Sequence, residues 1–193
     1  MHAAVCASAH NAKNNPSAFK IDPPSLEEYL ASEMISSPLT KYDCAPISDG
    51  ASAIIIASED ACKKHNLDPI WIEKIGHQVD SSNLGFRDLT LVKPVSDLIN
   101  KLDIDLNTID IIETQAQFSH EVVLMSQIFK RTIQELNLSG GPLAGNVMMA
   151  AGLDTIGHTY KFLKSHQRAT ALAHAVSGPC LQHNLLACLR SPA

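Results

Sequence analysis

A glycine-rich stretch at residues 137–153 places the strongest constraint on how this 193-residue chain folds. It holds four glycines and a proline within 17 residues and then continues as an apolar segment. Glycine allows backbone angles and close approaches that a side chain blocks, so the stretch predicts a loop leading into a helix that begins near Asn146. The start of that helix would present N–H groups and a partial positive charge to an anion or a developing oxyanion. The alternative is a tight turn before a buried helix, since the full phosphate-loop pattern with its lysine is missing.

The composition indicates a folded chain and argues against several function classes. Hydrophobic residues make up 45% of the chain and charged residues 18%, as in globular proteins. A net charge of -5 without any basic run argues against a nucleic-acid surface. No apolar stretch reaches the roughly 20 residues of a membrane span, and no signal-peptide pattern opens the sequence. The five scattered cysteines form no C-x-x-C pair, which predicts reduced thiols and a cytoplasmic location.

Strand and helix patterns alternate along most of the chain. Residues 53–57 form a short, β-branched, unbroken run, which predicts a strand buried on both faces. An alanine-rich helix is predicted at residues 2–13, and a capping box at Ser25–Glu28 opens a second helix. Further helices are predicted over residues 59–65, 92–102, 119–131 and 146–163, and strands over 69–79, 170–175 and 183–189. Residues 106–113 are predicted as a turn that runs into a strand. This order predicts an α/β layered domain with a mixed β-sheet flanked by helices.

Several apolar or aromatic residues have predicted positions within these elements. Met148, Met149 and Leu153 recur at helical spacing, which predicts a helix face turned into the core. Trp71 is interpreted as a core or interface anchor. His77 lies near a predicted strand end, where a histidine is usually solvated, although a ligand role stays open.

Several segments resemble the thiolase superfamily. Residues 42–53 (Tyr-Asp-Cys-Ala-Pro-Ile-Ser-Asp-Gly-Ala-Ser-Ala) are similar to its D-C-S-P-x-S-D-G-A-A-A signature. Residues 10–19 resemble its N-H-x-N-x-x-x-N-P-x-A-x-F segment, and the glycine-rich stretch resembles N-x-x-G-G…G-H-P-x-G-A-x-G, nearest the archaeal and sterol-carrier-protein-type branch. The resemblance spans the chain and implies the C-terminal half of a thiolase fold. Residues 1–52 would be the tail of the N-terminal half with its loop region, and 53–193 the C-terminal domain.

The resemblance also assigns catalytic positions, several of which depart from the family. Asn146 stands where thiolases keep a catalytic histidine. Ala175 aligns with the general acid/base cysteine of the closing hairpin, whose motif is C-x-G-G-G-x-G, or H-N-x-G-G in the nearest branch. Gln115 aligns with the Asn or His that orients a catalytic water or the thioester oxygen, and its amide can both donate and accept. The family's nucleophilic cysteine lies upstream of this region, so Cys44 and Cys180 are interpreted as structural thiols.

Other residues complete the predicted site. His120 is a spare candidate acid/base, and the His120-Glu121 pair predicts no metal site because no second histidine follows as in H-E-x-x-H. The resemblance implies substrate-binding roles in the glycine-rich loop and the closing turn. These residues are Ser139, Gly140, Gly141, Gly145, Ser177 and Gly178.

Two functional hypotheses follow. In the first, the chain is part of a thiolase-like enzyme acting on acyl-CoA thioesters, with coenzyme A as part of its substrate and no separate cofactor. The missing catalytic groups would come from an N-terminal-half partner chain, or the chemistry would be a retro-aldol carbon–carbon cleavage. In the second, the chain is a non-catalytic binding or scaffolding subunit, and any homo-oligomer would use a surface of its own. Neither hypothesis includes nucleic acid or membrane as a partner.

Overall fold

Four strands form the central sheet of the part of the chain that the structure, a computed structural model, describes (residues 1–19, 22–178 and 180–192). Their order is β3–β6–β5–β4, with β4 and β5 parallel and the other neighbours antiparallel. The elements in chain order are α1 (His2–Asn11), α2 (Leu26–Ala31), β1 (Met34–Ser36), β2 (Leu39–Thr40), α3 (Glu59–Lys64), β3 (Trp71–Val79), α4 (Lys93–Lys101), β4 (Ile111–Thr114), α5 (Ser119–Phe129), α6 (Ala151–Ser165), β5 (Thr170–Ser177) and β6 (His183–Arg190). This arrangement confirms the predicted α/β layers with a mixed sheet.

Helices pack on both faces of the sheet. On one face α4 and α5 bury Leu98 and Phe129 against Leu172 and Leu186. On the other face α6 buries Leu163, which packs in a smaller cluster with Ile111, Ala171 and Leu189. The β4–β5 pair and the closing β5–β6 hairpin bring their ends, and the residues that follow them, to one side of the molecule. In open α/β sheets, ligands bind beyond the carboxyl ends of the strands.

Asp43 anchors the first part of the chain to this core. Its fully buried carboxylate accepts hydrogen bonds from the hydroxyl groups of Tyr29 (2.6 Å) and Ser119 (2.5 Å). The N–H and hydroxyl of Thr40 donate to the other carboxylate oxygen at 2.8 and 3.0 Å. The aspartate of the 42–53 signature thus joins α2, β2 and the N-terminus of α5.

The predicted buried strand at residues 53–57 is wrong. These residues form no helix or strand, and Ile55 and Ile56 are 97% and 73% exposed. A strand needs a neighbour for its backbone hydrogen bonds, and no described strand lies beside this segment. β-Branched residues favour an extended backbone but do not supply a partner.

The helix predicted to begin at Asn146 begins five residues later, at Ala151. Asn146 instead pairs with the signature segment, since its carbonyl accepts the Ser48 N–H at 3.0 Å and it forms a parallel bridge with Ile47. A short 3₁₀ turn at Met148–Ala150 follows. The turn directs Met149 into solvent, where it is 99% exposed, so the prediction that it faces the core is also wrong.

Exposed apolar side chains continue beyond this turn. Leu153 and Tyr160 extend the exposed stripe along α6, and Ile75 and Val79 are exposed on β3, the edge strand of the sheet. Large exposed apolar patches usually mark interaction sites. Among the described residues, no helix has the length and apolarity needed to span a bilayer.

Candidate functional site

A cleft of about 640 Å³ opens beyond the carboxyl ends of β4 and β5, and is called here the strand-end cleft. Gln115 follows β4, Ala175 and Ser177 end β5, and His183 begins β6. Gly152, in the first turn of α6, lines the same cleft, so the partly positive end of that helix faces it. The complete lining comprises His77, Gln115, Gln117, Phe118, Glu121, Met148, Met149, Gly152, Ala175, Val176, Ser177, Gly178, Cys180, Leu181, His183, Asn184 and Leu185.

Gln115 is held in one orientation. Its Oε1 accepts the Val176 N–H at 3.1 Å, which identifies the oxygen of the amide. No acceptor among the described residues takes the Nε2–H groups, although the side chain is only 5% exposed. Gly152 packs closely beside it, since a Cβ built there would lie 3.6 Å from Oε1 of Gln115 and 3.2 Å from Cβ of Ala175. Gln115 is therefore a fixed hydrogen-bond donor in the cleft.

Two histidines, His77 and His183, also line the strand-end cleft. His77 of β3 and His183 of β6 have ring centroids 5.9 Å apart because the sheet order makes these strands neighbours. Neither ring forms a hydrogen bond to a described residue. His183-Asn184 also matches the first two residues of the H-N-x-G-G motif. Placing the closing-hairpin motif at Ala175 missed this match.

Behind the cleft, a neutral histidine supports Asn184. Burial lowers the pKa of His174 to about 4, only partly opposed by its hydrogen bond to Asn184, so the ring is uncharged at neutral pH. Its Nε2–H donates to Oδ1 of Asn184 at 2.9 Å, and Nδ2 of Asn184 donates to the Leu181 carbonyl at 2.7 Å. This buried network fixes one wall of the cleft.

The glycine-rich loop at residues 139–141 is bound to the protein rather than open to a ligand. The N–H groups of Ser139, Gly140 and Gly141 donate to Glu113, Asn137 and the Ser139 hydroxyl, respectively. Gly140 has a φ of +95°, and a Cβ there would lie 2.7 Å from Cβ of Ala12, in the turn that follows α1. These three residues form the tight turn that the sequence analysis gave as the alternative to an anion-binding loop, because their N–H groups already donate to protein acceptors.

Asn146 lies between two clefts and lines neither. Its Oδ1 accepts the Met148 N–H at 3.2 Å, and the residue is 5% exposed. On its other side is a cleft of about 550 Å³, called here the loop cleft, which includes Gly141 and Gly145. Ser177 and Gly178 line the strand-end cleft instead. The predicted substrate-binding residues are thus divided between two places.

The loop cleft includes a contact between a histidine and a carboxylate. Nε2 of His158 lies 3.3 Å from Oδ2 of Asp154, one turn apart on α6. Near them, Glu113 is buried and binds Ser139 through both carboxylate oxygens. Burial raises the pKa of Glu113 despite the opposing hydrogen bonds from Ser139 and the charge of His158.

His120 is separate from both clefts. Its ring stacks on Phe118 with centroids 5.7 Å apart, and its buried Nδ1 has no hydrogen-bond partner among the described residues. Burial lowers the pKa of His120, opposed by the charge of Asp43. The described residues include no group of three or more His, Cys, Asp or Glu side chains placed to hold a metal ion.

Comparison with known proteins gives this geometry a context. No protein-family model matches the chain. The mitochondrial 3-ketoacyl-CoA thiolase of Pongo abelii is 28% identical over 141 residues, which are 72% of this chain and 35% of that protein. Sterol carrier protein 2 of Bos taurus is 37% identical over 87 residues, which are 45% of this chain and 16% of that protein. The chain is similar to members of the thiolase superfamily.

Solved structures share the fold of this chain. Human mitochondrial 3-ketoacyl-CoA thiolase matches with a TM-score of 0.78 at 20% identity, covering 100% of this chain and 55% of that one. The same enzyme in complex with CoA matches with a TM-score of 0.77 at 21% identity, covering 98% of this chain and 54% of that one. The chain spans about a third of the length of the curated relatives first matched. Its architecture is consistent with the C-terminal half that the motifs predict.

Proposed function

We propose that the chain binds acyl-CoA thioesters in the strand-end cleft and contributes to acyl-CoA chemistry as one part of a thiolase-like enzyme. The observation that carries this proposal is the fixed amide of Gln115, whose Nε2–H groups are free to donate in the cleft. A donor held in place before the reaction stabilises negative charge that develops on a carbonyl oxygen. The partly positive N-terminus of α6 adds to this effect.

Acyl transfer also requires a nucleophile, which a partner chain or segment would supply. Nucleophilic catalysis needs a thiolate or similar group with a base within hydrogen-bond reach. Asn146 and Ala175 carry no group that exchanges protons, so the chain's contribution is to bind and polarise the thioester. A retro-aldol cleavage would use the same polarised carbonyl without an acyl-enzyme.

Isothermal titration calorimetry with acetoacetyl-CoA tests this proposal. Gln115→Glu keeps the acceptor for the Val176 N–H but replaces the amide donor, and should weaken binding about 3–10-fold. Gln134→Glu, at an exposed position outside the cleft, is the matched control and should leave the affinity unchanged. No heat of binding in the unmodified chain, or equal affinities for both variants, would contradict the proposal.

A non-catalytic scaffolding role is the second candidate, supported by the exposed apolar surface. Ile55, Met149 and Tyr160 expose apolar area that a second protein surface would cover. Light scattering after size exclusion would compare the unmodified chain with a Met149→Ser, Ile55→Ser variant. A self-association that the double substitution abolishes, together with no affinity for acetoacetyl-CoA, would favour this role over the first.

A further inference from the structure

The strand-end cleft contains two imidazoles that the proposed function has not used. His77 and His183 come from distant parts of the chain, and their ring centroids are 5.9 Å apart with an interplanar angle of 33°. Both line the cleft that holds Gln115. Neither ring forms a hydrogen bond to a described residue, so the nitrogens of both are available to a ligand or to water.

The two rings differ in depth. His183 is partly buried, whereas His77 is exposed on the edge strand. Together the two rings reach from the partly buried part of the cleft to the exposed edge strand. Imidazole is the side chain best suited to accept and release a proton near neutral pH.

The other ionisable groups of the cleft are less suited to proton transfer. Oε2 of Glu121 accepts the N–H groups of Gln117 and Phe118 at 2.7 and 3.1 Å, so this carboxylate caps the start of α5. Cys180 is exposed at the turn between β5 and β6. The histidine pair therefore offers the acid/base capacity that Asn146 and Ala175 lack.

We propose that His183 is a catalytic acid/base of the strand-end cleft and that His77 is its positioning and proton-exchange partner. This inference rests on the proposed function, because it requires a thioester in the cleft. A ring nitrogen of His183 removes a proton from the carbon next to the thioester carbonyl. The electron pair of that C–H bond forms a C=C bond to the carbonyl carbon, and the π pair of the C=O bond moves onto the oxygen, where Gln115 donates a hydrogen bond.

The reverse step restores the thioester. The enolate takes a proton from the protonated His183 ring, while His77 exchanges protons between that ring and solvent. No oxidant, reductant or second substrate is consumed, so the net change in deuterated water is exchange of hydrogen for deuterium. The step requires no nucleophilic cysteine and is open to the chain by itself.

Mass spectrometry of butyryl-CoA incubated with the full chain in deuterated buffer tests this inference. We expect deuterium at the carbon next to the carbonyl, a loss of about 100-fold or more in the exchange rate for His183→Gln, and a smaller loss for His77→Gln that added imidazole restores. Butyryl-CoA affinity, measured by calorimetry, should change little in both variants. His65→Gln, at an exposed position after α3, is the matched control and should retain full exchange.

The results separate the two proposals. Failure of the unmodified chain to bind butyryl-CoA would refute the proposed function and this inference with it. Binding without deuterium incorporation would overturn the inference alone. Full exchange in His183→Gln would also overturn it. A loss in His77→Gln that imidazole does not restore would remove His77 from the proton path.

Discussion

Replacing Asp43 by asparagine should strongly destabilise this chain, although Asp43 lies outside both clefts. Its carboxylate accepts four hydrogen bonds at 2.5–3.0 Å, two on each oxygen. The donors belong to Tyr29, Thr40 and Ser119, all of which are buried. If the carboxylate is removed, these buried donors lose their acceptor, and no water can reach them to take its place.

The size of the effect follows from the number of bonds that asparagine retains. A hydrogen bond to a charged group contributes about 1.5–3 kcal/mol. Asparagine keeps one acceptor oxygen and its two bonds, but presents an NH₂ group to the other two donors. Because contributions within one network are not additive, we expect a loss of about 2–4 kcal/mol in the free energy of unfolding. For a chain of this size, that loss lowers the unfolding midpoint by about 4–16 °C.

The loss should depend on pH with a defined sign. Burial by itself raises the pKa of Asp43, but hydrogen bonds from Ser119, Tyr29 and Thr40 together outweigh it and hold the pKa below its usual value. A carboxyl group whose pKa is lowered by folding contributes stability above its unfolded pKa, and this is lost as pH falls through the folded pKa. The difference between the chain and Asp43→Asn should therefore be full at neutral pH and narrow below about pH 4.

Urea denaturation followed by far-ultraviolet circular dichroism measures both effects. Asp88→Asn is the matched control, because the exposed Asp88 also accepts bonds from the N–H (2.9 Å) and hydroxyl (2.6 Å) of one threonine. Its substitution should have a much smaller effect. Equal losses in the two variants, or a difference for Asp43→Asn that does not change down to pH 3, would refute the reasoning.

Three further predictions concern the glycines, a buried acid and the exposed apolar surface. Gly152→Ala should weaken acetoacetyl-CoA binding in calorimetry, because the added Cβ crowds the strand-end cleft. Gly157→Ala lies in the open part of α6 and should stabilise the chain by about 0.4–1 kcal/mol in thermal unfolding. Burial raises the pKa of Glu113, so the chain loses stability as the pH rises above the pKa that Glu113 has in the unfolded state. Glu113→Gln removes this ionisation. In urea titrations its free energy of unfolding should therefore fall less between pH 4 and pH 8 than that of the unmodified chain. Met149→Ser should change the free energy of unfolding by less than about 0.5 kcal/mol, whereas Leu163→Ala should cost about 2–5 kcal/mol; equal effects would contradict the assigned burial.

Elements with strong local signals could be predicted from the sequence. The capping box at Ser25 forms as expected, with the Glu28 N–H donating to the serine hydroxyl at 3.2 Å. β3, α4, α5 and the β5–β6 hairpin lie close to their predicted bounds. Each is specified within its own residues by periodicity, capping or turn chemistry.

Features that depend on a distant partner could not be predicted in this way. The run at Ile54–Ile56 has the composition of a buried strand but no neighbour among the described residues. Met149 has the spacing of a core residue, yet the pairing of Asn146 with Ser48 delays the helix and turns Met149 outward. The contact between His77 and His183 depends on sheet order, which periodicity does not encode.

The pairing of Asn146 with residues 47 and 48 explains how the candidate site differs from the one expected at the glycine-rich loop. It keeps the backbone extended where a helix start was expected, and so separates the loop cleft from the strand-end cleft. Loop N–H groups are then taken by Glu113, Asn137 and Ser139, which leaves the loop as a support. The free donor and the free imidazoles lie at the strand ends instead. Chemistry in this chain should therefore respond to substitutions at Gln115 and His183 and be insensitive to those in the loop cleft.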